Sequence, residues 1–250
     1  MSVVISTQSV GVEFYTSRRR RLQVRDLLFH GKSRTRSSDT FWALRDVSFD
    51  IEAGQAVGLV GGNGSGKSTL LKLIAGVLLP DEGEVSVTGG VAPLIELKGG
   101  FRGELTCRDN LYVQASLHGL SKDQIDERFE SMVDFAGPQV RAALDRPYRH
   151  LSSGMQVRLG FAVISALDEP IFLVDEVLAV GDKAFREKCY TRMESLLSEG
   201  RTLFLVSHSE KDLRRFGTRG LYLQGGSLAM DGPMEDVLER YNEDQGTQRA

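Results

Sequence analysis

The stretch Gly61-Gly62-Asn63-Gly64-Ser65-Gly66-Lys67-Ser68 constrains this chain more than any other feature. It satisfies the pattern G-x-x-x-x-G-K-[ST] in full, directly after the apolar run Ala56-Val57-Gly58-Leu59-Val60. A helical apolar pattern follows over 67–79, where Pro80 stops it. Glycines let the backbone turn its N–H groups inward as a nest of donors, and a helix starting near Gly66 adds its own unpaired N–H groups and dipole. Lys67 is expected between β- and γ-phosphates and Ser68 on Mg2+, with Thr69 next in the same turn. The pattern implies a nucleoside triphosphate, without choosing among GTPase, kinase and ATPase.

The rest of the chain fits a globular protein around that loop. Its 250 residues have room for one core plus a satellite subdomain. A net charge of -3 and a pI near 5.9 give no broad electrostatic case for nucleic acid, so none is expected as a partner. No stretch approaches the roughly 20 apolar residues of a membrane span, and no basic segment leads into a long apolar one at the start. A cytoplasmic protein is expected, with Cys107 and Cys189 as reduced thiols.

Residues 3–15 alternate loosely and read as an edge strand, 47–51 as a second strand and 84–88 as another. Between the first two, 18–36 holds seven arginines and Lys32 against the single carboxylate Asp26. Helices are expected over 109–117, 122–135 and 155–167, then a buried strand over 171–174. A helix over 183–198, a strand over 202–207, a hairpin turning at Gly225-Gly226 and a last helix over 234–241 complete the reading. The simplest assembly is a mainly parallel α/β core interrupted by a helical block.

Asp175 ends the apolar strand Ile171-Phe172-Leu173-Val174, where a carboxylate is costly unless satisfied; a Mg2+ ion opposite the phosphate loop would satisfy it. Glu176 points elsewhere and is placed to activate water for in-line attack on the γ-phosphate. His208, just past Leu203-Phe204-Leu205-Val206, is placed to bond the γ-phosphate or the water.

Between these motifs stands Leu151-Ser152-Ser153-Gly154-Met155-Gln156 at the start of an expected helix. It resembles the signature loop of ABC ATPases, L-S-G-G-Q. With the phosphate loop, the Asp175-Glu176 pair and His208 in order, the resemblance covers nearly the whole chain. It implies an α/β, P-loop NTPase ABC-ATPase fold: a RecA-like core (approximately 1–95 and 168–250) with an antiparallel β subdomain, an inserted helical subdomain (approximately 96–167) and a basic insertion at 18–36. It further implies ATP and Mg2+, and a head-to-tail pair with a second copy of the chain. In that pair Ser152, Ser153 and Gly154 of one copy close over the ATP of the other, and Asp182 touches the partner's site. Phe14 or Tyr15 is the expected adenine-stacking aromatic, and the sequence leaves both open.

Departures from the family pattern narrow the reading. Ser153 replaces a glycine and Met155 a glutamine, and S-S-G-M-x-V-R-L-x-F-A resembles the polysaccharide exporters of O-antigen, capsule and teichoic acid. Phe41–Phe49, Leu97–Thr106 and Val174–Asp182 agree with that subgroup. The usual metal-sensing glutamine is missing; Glu96 is its best polar stand-in, against a plain surface glutamate. The resemblance implies an ATPase subunit driving a separate transmembrane permease from the cytoplasmic side of the membrane, with no glycan-recognising β-sandwich within these residues. The alternatives are a lipid or drug exporter ATPase, or a non-transport ABC ATPase.

Overall fold

The computed structural model describes residues 2–15, 40–94, 99–175 and 182–249. The basic segment 18–36, Glu96, and Glu176 with the five residues after it lie outside them. Unbroken apolar runs make the centre of the fold. β3 (Ala56–Gly61), β6 (Ile171–Asp175), β7 (Thr202–Val206) and β8 (Arg219–Gln224) lie beside β5 (Val91–Leu94) and β9 (Ser227–Pro233) in the order β5-β6-β7-β3-β8-β9. Every described pairing within this sheet is parallel except β8–β9, the hairpin turning at Gly225-Gly226. β3 is buried along its whole length, as a strand must be when both faces of its sheet are covered.

A second sheet joins β1 (Val3–Tyr15), β2 (Thr40–Glu52) and β4 (Glu82–Val87) in the antiparallel order β2-β1-β4. β1 is therefore the central strand, not the edge strand expected. Its second neighbour, β4, is separated from it by more than sixty residues of chain and leaves no local signal. β5 was not expected either. It has four residues, one of them Pro93, and proline is tolerated there because the strand is at the sheet's edge.

α1 (Lys67–Ile74) ends sooner than the 67–79 pattern suggests. Gly76 takes a φ of +69°, and the N–H groups of Val77 and Leu78 close on the Lys72 carbonyl, so the chain turns out of the helix. The helical block holds α2 (Cys107–Leu117), α3 (Lys122–Ala136), the single turn α4 (Pro138–Arg141) and α5 (Ser153–Ser165). α3 shows why such segments are helical. Ile125, Phe129, Met132, Val133 and Ala136 fall on one buried face, and Ser121 and Gln124 form a reciprocal capping box. Gly137 and Pro138 then stop it. α5 is apolar nearly all round because two cores share it: Val157, Phe161 and Ile164 face the sheet, while Leu159, Ala162 and Val163 face the helical block. α6 (Lys183–Ser198), α7 (Glu210–Phe216) and α8 (Met234–Arg249) complete the chain, α8 running past the expected end at 241.

Candidate nucleotide site

β3 delivers the glycine-rich loop to the carboxyl edge of the sheet, where ligands of open parallel sheets bind. Gly64 and Gly66 take φ values of +75° and +104°, a region that L side chains rarely enter. Gly66 is also crowded: a Cβ there would lie 2.5 Å from the Ala43 carbonyl oxygen. At Gly61 the equivalent carbon would meet Ser65 Oγ at 2.5 Å and the Leu223 oxygen at 2.6 Å. α1 begins at the buried Lys67 with no acidic residue in its first turn, leaving its positive end to an anion. Lys67 Nζ donates to the carbonyl oxygens of Gly61 (2.8 Å) and Gly62 (2.9 Å). Ser65 Oγ is buried with no hydrogen-bond partner, an orphan polar atom that a phosphate oxygen would satisfy.

A cleft of about 310 Å³ opens over this loop. Asn63, Gly64, Ser65, Gly66, Lys67, Ser68 and Thr69 line it together with His208, Ala43, Phe14 and Phe41. Tyr15, 71% exposed, is not among the lining residues, so of the two aromatic candidates it is Phe14 that reaches the cleft. Phe41 was missed by sequence reasoning. Its place comes from pairing with Phe14 across two strands, which leaves no local signal. Gly62 turns the other way, towards Gln245 of α8.

Asp175 ends β6 directly beside Val206 of β7, two residues before His208, which brings both predicted polar groups to the carboxyl edge that carries the loop. Ser152, Ser153 and Gly154 are not brought to the cleft. Ser152 caps α5, its Oγ accepting from the N–H of Met155 at 3.3 Å, and a Cβ on Gly154 would meet nothing within 4 Å. These residues sit at an outward-facing helix start. Asp182 likewise caps its own helix, α6: one oxygen accepts from the N–H of Phe185 at 2.9 Å and the other pairs with Arg158 of α5. First the Phe185 N–H and then the Arg158 guanidinium hold that carboxyl below the usual carboxylate range. Among the described residues, no group of three or more His, Cys, Asp or Glu side chains could hold a metal ion.

A buried parallel strand, a glycine cradle, a helix start and a polar strand edge define a phosphate-loop nucleoside triphosphatase. The ABC transporter family model matches residues 44–179. Over 222 residues the chain is 40% identical to the O-antigen export system ATP-binding protein RfbB of Klebsiella pneumoniae, covering 88% of this chain and 89% of that one. It is 38% identical to the teichoic acids export ATP-binding protein TagH of Listeria monocytogenes over 216 residues, 86% of this chain and 63% of that one. The solved structure of the ATP-binding cassette MJ0796 bound to ADP and Pi matches with a TM-score of 0.72 at 22% identity, over 92% of this chain and 98% of that one, which carries the fold. The chain therefore belongs to the ABC transporter family, as an ATP-binding and ATP-hydrolysing subunit of an ABC exporter homologous to the polysaccharide-export ATPases.

Proposed function

We propose that the chain powers export of a lipid-linked polysaccharide through a separate transmembrane subunit, working as a head-to-tail pair with a second copy of itself on the cytoplasmic side of the membrane. The observation that carries the cargo is the near full-length likeness to an O-antigen export ATPase. Pairing is supported by the outward Ser152–Gly154 helix start, which has donors suited to phosphate but no place in the cleft of its own chain. In this reading Asn63–Thr69 cradle the phosphates, Phe14 stacks on the base, and His208 orients the γ-phosphate or the attacking water. Glu176 takes the water's proton as the bond to the leaving diphosphate breaks.

The residues present fit Mg2+, an ion usually held by one or two protein oxygens plus substrate phosphates rather than by a protein cage. Ser68 and Asp175 would hold it, with Glu96 a third candidate from the sequence, and when bound it offsets phosphate charge.

A separate membrane subunit also has a place to dock. Among the described residues no helix is long and apolar enough to cross a membrane. A groove of about 380 Å³, lined by Val77, Pro93, Phe101, Leu117, Val163 and Ile164 among others, runs between the sheet and the helical block. Val77 and Leu117 are 72% and 69% exposed on its rim, and Gln114 lines it with a buried Nε2 that has no hydrogen-bond partner. Such a groove suits a short apolar helix of the permease that brings one hydrogen-bond acceptor.

Withdrawing the chain from a cell that depends on it should trap lipid-linked polysaccharide on the cytoplasmic side and clear it from the surface. Surface glycan that persists unchanged would overturn the reading. Leu117→Asp puts a charge on the groove and should weaken docking of the permease by roughly five- to thirty-fold, the usual cost of one disrupted anchor. Co-purification of the two subunits in mild detergent measures it.

A further inference from the structure

Phe14 and Phe41 stand at the cleft with 36% and 51% of their surface exposed, and neither is counted in the hydrophobic clusters of the described residues. They are direct cross-strand partners on β1 and β2, so their side chains leave the same face of the sheet. Their ring centroids lie 5.8 Å apart with planes inclined by 34°, which makes a shallow two-ring platform. Ala43 lines the same cleft, its carbonyl facing Gly66, which sets the two rings beside the phosphate loop. Trp42 turns to the opposite face, over Gly11, where a Cβ would come within 2.7 Å of its ring.

We propose that Phe41 is a second base-stacking residue, and that Phe14 and Phe41 together select a purine over a pyrimidine. This rests on reading the cleft as the ATP site. A purine has two fused rings and covers both phenyl rings; a pyrimidine covers one. Among the described residues, the side chains lining this end of the cleft, Phe14, Phe41 and Ala43, hold no donor or acceptor. These three side chains do not read the substituents that distinguish adenine from guanine, so a platform of this kind takes ATP and GTP alike.

Equilibrium dialysis of the full chain against ATP, GTP, CTP and inorganic tripolyphosphate tests this. The unaltered chain should bind ATP and GTP similarly and CTP about five-fold or more weakly, the lower end of what stacking one base is worth. Phe41→Leu keeps apolar bulk but removes the ring; it should lose about five-fold or more for both purine nucleotides, with CTP and tripolyphosphate little changed. Phe41→Tyr should restore purine binding. Purine affinity unchanged in both Phe41→Leu and Phe41→Ala, or CTP binding as tight as ATP in the unaltered chain, overturns the proposal. If the unaltered chain binds neither nucleotides nor tripolyphosphate, the reading of the cleft fails, and the proposal with it.

Discussion

Glu176→Gln should bind ATP, hold an ATP-loaded dimer, and hydrolyse at least about ten-fold more slowly, with a general base ordinarily worth ~10²- to 10⁴-fold. The physical reason is narrow. An amide has nearly the shape of a carboxylate and still accepts a hydrogen bond, so water can be held in place. It takes up no proton at neutral pH, so the attacking oxygen keeps its proton as the bond to phosphorus forms. Glu176 directly follows Asp175, whose strand β6 ends beside β7 and two residues from His208. Steady-state phosphate release gives the rate, and size-exclusion chromatography of the ATP-loaded variant gives the dimer. Near-normal turnover would remove Glu176 from the chemistry and leave His208 as the remaining candidate for holding the water.

Gly66→Val should abolish nucleotide binding and destabilise the whole chain, whereas Gly64→Ala should do neither severely. Both glycines have positive φ, so either substitution incurs about 1–2 kcal/mol of backbone strain. Only Gly66 is also walled in. Its new Cβ would lie 2.5 Å from a backbone oxygen of β2 and 2.7 Å from Leu44 Cδ2, and a strand carbonyl cannot swing aside as a side-chain tip can. The substitution has to part α1 from β2, which moves the phosphate loop and the first turn of the helix together. Gly64 has nothing within 4 Å of the equivalent position. Its alanine variant should melt only ~2–4 °C lower for each kcal/mol of strain and keep measurable ATP affinity. Thermal melts and nucleotide titration separate the two. A Gly66→Val chain that binds ATP normally would show that the loop tolerates displacement and that its glycines serve another purpose.

How far the sequence could be read depended on whether the deciding contacts were local. The phosphate loop was legible because strand, turn and helix start are contiguous, and Ser152 was legible as a helix start for the same reason. The choice between Phe14 and Tyr15 was not. β1 carries an extra residue against β2 between Val3 and Ile5 and again between Thr7 and Val10. Each irregularity changes which residues face the cleft, so alternation along 3–15 cannot be extrapolated to its end. Phe41 was hidden because its significance comes from a partner twenty-seven residues earlier in the chain and from a loop twenty residues later. Asp182 shows the opposite case. The sequence pointed it at a second copy, and locally the same carboxylate is a helix cap paired with Arg158. That fastens the start of α6 to α5, the helix whose first residues are proposed to meet a partner.

Lys67 changes what a familiar experiment measures. Its ammonium group is one of the ties that hold the loop's ends together, through the carbonyls of Gly61 and Gly62. A truncation such as Lys67→Ala removes an internal cross-brace along with a phosphate ligand, and two charge-assisted bonds go with it. Weakened ATP binding in that variant is therefore a sum of a slackened loop and a missing contact. Tripolyphosphate affinity and the melting temperature, measured together, apportion the loss between architecture and recognition.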